Sequence, residues 1–421
     1  MVTPVASAQS LDELLQSLAG FTSASPGVTR PVYGEAWCDA QRWLAERARA
    51  LGLAATCDGI GNLLFHAPEV KPGDLSRSVL LVGSHLDTVA GGGAYDGAVG
   101  VLAALRVAAE LRERNALPVV GFASCAAEDG RFGACGPGAR GLLGLLRQED
   151  LDATRDQDGV TLRRALDQAR ARGCAAPAAG GERPCPALFH PALMLELHVE
   201  QGPVLETEGL DLGIVEHVSG CRRMRVRLQG ETRDSGTTPM NLRRDALAAA
   251  AEMVLAAERA ARKAGPPAVA TAGFLRAEPG RFSAVPGACE LWLEVRHFER
   301  PRLVDLTAAI GQRCREIAQE RGLGIEVDET TGHDPVAMSP KLAEAAAKLA
   351  DRLKLSHGGM VSGAAHDAME FARHGVPSLL VFVPSRHGAS HSPEEFTDPA
   401  QLAAGHRFVL EFARWLTDAR G

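Results

Sequence analysis

Histidine and carboxylate side chains follow short apolar segments of this chain at the points where strands would end. His85 and Asp87 come directly after the apolar run 79–82, and Asp96 precedes a second apolar run at 99–111. Imidazole nitrogens and carboxylate oxygens are ligands that divalent transition metals bind without any thiolate. Asp87 is placed to accept the second ring N–H of His85. The pattern therefore predicts half of a metal site near residue 85.

Three later segments offer the other half of such a site. Each ends an apolar, strand-like run, and their polar residues are Glu128, Asp129, His198 and His391. Ligands bind in open α/β sheets in the crevice outside the carboxyl ends of the strands, so these side chains are expected to lie close together. Asp96 is then the carboxylate expected to bridge two ions roughly 3.5–4 Å apart, as in two-metal hydrolytic sites.

The order of elements around these residues predicts two domains. Strand, helix and strand follow one another over residues 78–126, which indicates a mainly parallel sheet with helices on its faces. After about residue 215 the pattern changes to a strand, an Ala-rich helix at 239–263, two strands, a helix and a strand, which is an α+β sandwich in itself. We expect an α/β catalytic domain of residues 1–214 and 330–421, interrupted by an α+β domain of residues 215–329.

Composition narrows the class of protein. The chain has 421 residues with 46% apolar and 23% charged residues, which is ordinary for a globular protein. A net charge of −7 and the lack of a basic run argue against a nucleic-acid partner. No apolar segment is long enough to span a membrane, and the first residues do not resemble a signal peptide. Nine scattered cysteines without CxxC spacing predict reduced thiols and a cytoplasmic protein.

Several motifs carry a resemblance to one known family. GSHLDTV, GGAYDGAVGV, LELHVEQGP, SGTTPM, SGAAHDAM and SRHGASHSPEEF occur in this order over nearly the whole chain. They resemble the amidase branch of the dinuclear-zinc aminoacylase/carboxypeptidase-type metallopeptidase family. That branch includes N-carbamoyl-L-amino-acid hydrolases, allantoate amidohydrolases and β-ureidopropionases. The resemblance implies a zinc-hydrolase domain with an inserted ferredoxin-like lid or dimerisation domain, and a homodimer formed through that lid.

The resemblance also implies the site and its cofactors. Two divalent ions are expected, zinc first and manganese, cobalt or nickel as alternatives. Their ligands would be His85, Asp96, a carboxylate from Glu128 or Asp129, His198 and His391. Asp87 would orient His85, Gln201 would be a polar group on the substrate side, and Arg296 would bind the substrate carboxylate. The reaction would cleave a C–N bond of a small carboxylate-bearing N-carbamoyl or ureido compound.

One departure from the family pattern lies in the acidic loop. The family has Glu-Glu-Gly-Ser-Arg-Phe, where the first Glu activates water and the second binds metal, while this chain has Ala127-Glu128-Asp129-Gly130-Arg131-Phe132. Aligned without a gap, Glu128 is the metal ligand and Ala127 stands where the base belongs. With one residue deleted, Glu128 is the base and Asp129 is the ligand. Both alignments remain open at this point.

Two further departures lie in the inserted domain. Asp234 replaces the family histidine that polarises the scissile carbonyl, and Ser283 replaces an asparagine that helps to hold the substrate. The sequence therefore predicts a metal-dependent amidohydrolase in which Asp87, Glu128 and Asp234 are the candidate catalytic residues. The alternatives are a divergent member with non-hydrolytic or acyl-transfer chemistry, and a catalytically silent binding protein.

Overall fold

The structure is a computed structural model that describes residues 9–74, 76–113, 116–127, 130–132, 136–175, 188–330 and 332–418. Glu128 and Asp129 lie outside the described residues. The chain forms two compact units, a larger one up to Glu216 and from Ala337 onward, and a smaller one over His217–Val336. Among the described helices, none combines the length and the apolar character needed to cross a membrane.

Fifteen strands make up the described sheets. They are β1 (Ala54–Cys57), β2 (Leu63–His66), β3 (Ser78–His85), β4 (Val119–Ser124), β5 (His190–Val199), β6 (Leu212–Val218), β7 (Gly220–Gln229), β8 (Arg233–Asp234), β9 (Val269–Glu278), β10 (Ala284–Val285), β11 (Ala288–His297), β12 (Gly324–Glu329), β13 (Val336–Ala337), β14 (His357–Ser362) and β15 (Ser378–Val383).

Twelve α-helices accompany them within the described residues. They are α1 (Leu11–Ala19), α2 (Glu35–Ala50), α3 (Ala98–Glu110), α4 (Pro137–Leu142), α5 (Gln148–Ala153), α6 (Leu162–Ala171), α7 (Val204–Glu208), α8 (Ala246–Ala264), α9 (Arg300–Glu320), α10 (Pro340–Leu353), α11 (Asp367–Arg373) and α12 (Pro399–Asp418), with short 3₁₀ turns at Met240–Leu242 and Arg386–Gly388.

The large sheet has four parallel strands at its centre. Its order is β1-β2-β4-β3-β5-β15-β6-β13, with β14 beside β6, and the pairs β3–β4, β3–β5 and β5–β15 are parallel. The chain continues from β3 to β4 on one side and reaches β5 on the other, so β3 ends at a topological switch point, where α/β sheets bind ligands. The predicted mixed α/β fold with a mostly parallel central sheet is confirmed.

The pairing of β3 with β5 brings two of the predicted ligands, His85 and His198, to adjacent positions. Val82 of β3 pairs with Leu195 of β5, so the strands carry His85 and His198, three residues further along each, to neighbouring positions. His198 in turn pairs with Phe382 near the end of β15. The chain that follows β15 therefore begins at the same sheet edge. Apolar runs that end in polar residues produce this convergence because parallel strands end together.

The smaller unit has a four-stranded antiparallel sheet in the order β12-β7-β11-β9, and α8 and α9 cover one face. Met224, Val226 and Leu228 of β7 are buried in this unit's core, as the alternating pattern requires. This arrangement is consistent with the expected ferredoxin-like insertion. The Ala-rich helix begins at Ala246 and not near residue 239, because the Asp245 side chain accepts the Ala248 N–H at 3.0 Å and caps it there.

One cysteine expectation is wrong. Cys38 of α2 and Cys174, which follows α6, form a disulfide over a sequence separation of 136 residues. Sequence spacing gives no sign of this pair because the two helices meet only through tertiary packing. Four further described cysteines are free thiols, and they are Cys57, Cys221, Cys289 and Cys314.

Candidate metal centre

The elements that end at the switch point place three predicted histidine ligands around the carboxylate of a fourth predicted ligand, Asp96. His85 is the last residue of β3, and His198 is the second-last residue of β5. Asp96 lies in the loop before α3, and His391 lies in the loop after β15. His85, Asp96 and His198 are buried, while the His391 side chain is 45% exposed. The side of the site formed by His85 and His198 is therefore shielded from solvent, while the side of His391 is accessible to it.

One oxygen of Asp96 faces two imidazole nitrogens. Asp96 Oδ1 lies 3.3 Å from His85 Nε2 and 3.1 Å from His198 Nε2, and these two nitrogens are 3.3 Å apart. Among the described residues, no hydrogen-bond donor reaches this buried oxygen. Lone pairs of one carboxylate oxygen and two imidazole nitrogens at this spacing repel one another unless a proton or a metal cation stands between them. The donor set therefore fits a divalent metal ion.

The spacing of these atoms supports the same conclusion. A tetrahedral ion with nitrogen and oxygen ligands at about 2.0–2.1 Å holds neighbouring ligand atoms about 3.3 Å apart. The three observed separations of 3.1–3.3 Å match this value without any movement of the backbone.

The other oxygen of Asp96 faces a second position. Asp96 Oδ2 lies 3.1 Å from His391 Nε2. The side-chain nitrogen of Gln201 forms a triangle with these two atoms, since it donates to Asp96 Oδ2 at 2.9 Å and lies 3.2 Å from His391 Nε2. Gln201 and His391 both have left-handed backbones, with φ of 59° and 54°, a conformation that is uncommon for these residues and clusters at functional sites. The two oxygens of Asp96 thus point at two separate ligand groups, as a bridging carboxylate requires.

The remaining ring nitrogens are held by oxygen acceptors. His85 Nδ1 lies 3.0 Å from the carbonyl oxygen of Asp87 and 3.4 Å from its carboxylate Oδ1. His198 Nδ1 lies 2.8 Å from the carbonyl oxygen of Val199. An acceptor at Nδ1 favours the tautomer that carries its proton there and leaves the Nε2 lone pair directed at Asp96. Asp87 therefore lies where the sequence predicted an orienting carboxylate.

Gly97 allows the close packing of this region. Its φ is +65°, which favours glycine, and a Cβ at this position would lie 2.4 Å from Cε1 of His85. Any larger residue after Asp96 would displace the His85 ring. The Asp-Gly pair at the start of α3 is thus required by the ligand geometry.

Electrostatics in the cluster favour positive charge next to Asp96. Burial opposes ionisation of this carboxylate, but its contacts with His198, His391 and His85 hold its pKa well below the usual value. Burial also opposes a charged His198, but Asp96 raises its pKa above the usual value. A site that attracts protons in this way attracts a metal cation for the same reason.

Glu395 is a site residue that the sequence did not predict. Its Oε2 accepts the backbone N–H groups of Tyr95 at 2.8 Å and Asp96 at 3.1 Å, while Ser390 Oγ lies 2.9 Å from Oε1. Burial and then the charge of Asp96 raise the pKa of Glu395 to about 7. Glu395 fixes the backbone that carries Asp96. Its signals in the sequence are its place four residues after His391 and its inclusion in the motif SRHGASHSPEEF.

A second buried group, which includes Glu196 and His366, lies next to His198. Glu196 Oε1 accepts from Ser84 Oγ and its Oε2 accepts from the Ala368 N–H, both at 2.7 Å. The ring of His366 meets that of His198 edge to face, with centroids 4.6 Å apart. These contacts connect β3, β5 and the start of α11 beneath the ligands, so the ligand positions depend on several elements at once.

The substituted position Asp234 lies in an exposed turn of the smaller unit. Its Oδ1 accepts the backbone N–H of Gly236 at 2.9 Å and of Thr237 at 2.8 Å, and lies 3.1 Å from Thr237 Oγ1. These donors lower the pKa of Asp234. The residue is therefore an ionised hydrogen-bond acceptor. The backbone carbonyl of Ser283 accepts the Ser235 N–H at 3.1 Å in the same turn region.

Arg296, the predicted carboxylate-binding residue, is held in an ion-pair network of the smaller unit. Its Nε donates to Glu294 Oε1 at 2.7 Å, and Arg223 Nε donates to Glu294 Oε2 at 2.8 Å. Burial opposes the charge on Glu294, yet the two guanidinium groups lower its pKa to about 2. Glu294 thus fixes the direction of the Arg296 side chain.

Comparison with known proteins places this geometry in a family. The model of the peptidase family M20/M25/M40 matches residues 81–415. An N-carbamoyl-L-amino-acid amidohydrolase of Paenarthrobacter aurescens is 34% identical, with 99% of this chain and 100% of the relative aligned. An allantoate amidohydrolase of Escherichia coli is also 34% identical, over 94% of this chain and 95% of the relative.

Solved structures agree with these relatives. The crystal structure of an amidase of the hydantoinase/carbamoylase family from Burkholderia multivorans has a TM-score of 0.84 and 28% identity to this chain, and the alignment covers 96% of each. The family match includes every described ligand candidate, from His85 to His391. The chain belongs to the peptidase family M20/M25/M40.

Proposed function

We propose that the protein is a metal-dependent amidohydrolase that cleaves a C–N bond of a small N-carbamoyl or ureido compound bearing a carboxylate. The observation that carries this proposal is the pair of ligand groups on opposite oxygens of Asp96. The names of the relatives support the substrate class, since they include an N-carbamoyl-L-amino-acid amidohydrolase and an allantoate amidohydrolase.

The cofactors in this proposal are two divalent ions, with zinc the best fit to imidazole and carboxylate ligands. His85, His198 and Asp96 would hold one ion, and Asp96, His391 and an acidic residue at 128 or 129 would hold the other. Such ions polarise a carbonyl group and make water nucleophilic at neutral pH.

The protein side chains then have separate tasks in the proposed reaction. Asp87 keeps the His85 ring in one orientation. In the alignment in which Asp129 is the ligand, Glu128 is the base that moves a proton from water to the leaving nitrogen. Arg296 binds the substrate carboxylate, because a guanidinium group pairs with a carboxylate through two hydrogen bonds. Asp234, as an ionised acceptor, suits an N–H of the carbamoyl or ureido group. None of the described residues gives specific support to non-hydrolytic chemistry or to a silent binding protein.

The first prediction concerns the bridging carboxylate. Asp96→Asn should lose both ions, because the neutral amide removes one anionic oxygen from each position. Metal content of the purified protein after dialysis against zinc, measured by mass spectrometry, should fall from two ions per chain to fewer than one.

A histidine outside the cluster provides the control for this measurement. His357 lies 3.2 Å from Asp351 on another part of the larger unit. His357→Ala should keep two ions per chain. Unchanged metal content in Asp96→Asn would contradict the proposal that Asp96 is a ligand of both ions.

The second prediction is the reaction itself. The zinc- or manganese-loaded protein should release ammonia from N-carbamoyl-L-amino acids or from allantoate, and Asp96→Asn should not. Ammonia is measured with a coupled enzyme assay across a panel of both substrate types. If the protein holds two ions and turns over no member of the panel, the proposal is wrong.

The third prediction separates the two alignments of the acidic loop. If Glu128 is the base, Glu128→Gln should keep both ions and lose about 10²–10⁴-fold in kcat, while Asp129→Asn should lose one ion. If Glu128 is the ligand, Glu128→Gln should lose one ion and Asp129→Asn should change little. Normal metal content and normal kcat in both variants would exclude this loop from the site.

We also propose that the protein is a homodimer that pairs through β9 of the smaller unit. This ten-residue strand is an edge of its sheet and exposes Val269 and Leu275, which are 49% and 44% exposed. A long, weakly charged edge strand is a template for pairing with another chain. The opposite edge, β12, is short and carries Glu326, Asp328 and Glu329, which discourage such pairing.

The fourth prediction tests this interface. Leu275→Glu should convert the dimer into a monomer, because it places a charge on each side of the paired edges. Analytical ultracentrifugation at micromolar concentration gives the mass in solution. Val304→Glu on α9, at a site that is 45% exposed, should leave the dimer intact. A wild-type monomer, or an unchanged dimer in Leu275→Glu, would refute this interface.

A further inference from the structure

The acidic loop, residues 125–136 between β4 and α4, approaches the cluster at Asp87 through its described residues Ala127 and Gly130. Ser124 at the end of β4 pairs with His85, so the loop begins level with a ligand. The Ala127 N–H donates to Asp87 Oδ1 at 3.0 Å. A Cβ placed on Gly130 would lie 3.6 Å from Asp87 Oδ2. The described residues on both sides of positions 128 and 129 therefore lie against the carboxylate that contacts His85.

One side chain makes hydrogen bonds on both sides of this loop. Asn62, which precedes β2, is fully buried. Its Oδ1 accepts the N–H of Cys125 at 2.8 Å, and its Nδ2 donates to the carbonyl oxygen of Gly138 at 2.8 Å. Cys125 is the first residue of the acidic loop, and Gly138 is the second residue of α4, which follows the loop. The Asn62 amide thus joins the two segments that flank the loop.

The orientation of the Asn62 amide is fixed by Asp58. Asn62 Nδ2 donates to Asp58 Oδ2 at 2.6 Å, while Asp58 Oδ1 accepts the N–H groups of Ile60 and Asn62. A reversed amide would place its oxygen against the oxygens of Asp58 and Gly138 in a buried site. Unpaired buried polar groups are costly, so only one orientation of the amide is stable.

The position of Asn62 in the sheet explains its reach. Pairing of β2 with β4 ends where Leu63 meets Ala123, and Asn62 is the next residue outward. Beyond the last pair of backbone partners, the Asn62 side chain accepts the N–H of Cys125 in place of a backbone carbonyl. Trp37 Nε1 also donates to the Cys125 carbonyl at 3.1 Å, which holds the same end of the loop from the other side.

We infer that Asn62 is a positioning residue for the acidic loop, and this inference rests on the proposed function. By joining the two segments that flank the loop, it sets where Ala127 and Gly130 meet Asp87, the carboxylate that contacts His85. Asn62 touches neither substrate nor ligand. Replacement of a residue that orients a metal ligand often lowers metal affinity or activity 10–100-fold.

The test compares two buried amides of the same region. Asn62→Leu removes the bonds to Cys125 and Gly138 and keeps the number and branching of the side-chain heavy atoms. Gln41→Met is the matched control, because Gln41 is buried and bonds to Gly61 and Ala175, both at 2.7 Å, but to no part of the loop. Both variants should lower Tm to a similar extent.

Only Asn62→Leu should alter the metal centre and the reaction. We expect kcat to fall about 10–100-fold with KM within about twofold, and zinc titration to show one of two ions bound about tenfold more weakly. Gln41→Met should keep the wild-type kcat and both zinc affinities. Asp58→Asn, which leaves Asn62 its partners Cys125 and Gly138, should lose less than Asn62→Leu in kcat.

The outcomes separate this inference from the proposed function. Without turnover in the wild type, the zinc titration alone decides the role of Asn62. Wild-type kcat and two normal zinc affinities in Asn62→Leu, with Tm lowered as in Gln41→Met, would overturn the inference. If Asn62→Leu does not fold, Asn62→Ser, which leaves space for a bridging water, is measured against the same expectations.

Discussion

The larger unit is organised by the need of one buried carboxylate, Asp96, for positive charge on both of its oxygens. A buried anion without a partner is expensive, and the described residues supply imidazole nitrogens rather than cationic side chains. The surrounding structure serves this arrangement. Gly97 admits the His85 ring, the carbonyl of Val199 orients His198, and Glu395 holds the backbone of Asp96.

The proximity of these candidate ligands could be predicted because the signal is local in each segment. Each histidine follows an apolar run, and parallel strands end at a common edge, so His85, His198 and His391 can be placed together before the fold is known. The same reasoning predicted the parallel sheet. It needed no knowledge of the long-range contacts, since the alternation of strand and helix determines which ends meet.

Residues whose partners are distant backbone groups gave no such signal. Glu395 accepts N–H groups from residues about three hundred positions away, and Asn62 bonds on both sides of a loop more than sixty positions along the chain. Neither residue stands out by type or spacing. The start of α8 was misplaced for a local reason, because Asp245 offers a cap that competes with the earlier Pro239. The Cys38–Cys174 disulfide depends on helix packing that the sequence does not reveal.

The two ends of the smaller unit meet each other. Cys221 and His333 exchange a pair of backbone hydrogen bonds of 2.9 and 3.1 Å, and the unit between them has its own apolar core. A segment whose two ends are adjacent and which has its own apolar core is structurally independent. Its residues can change without a change in the strands that carry the histidines. Asp234 fits this view, because its turn satisfies the new carboxylate locally. The smaller unit can therefore accept a substitution such as Asp234 without any change in the strands that carry the histidines.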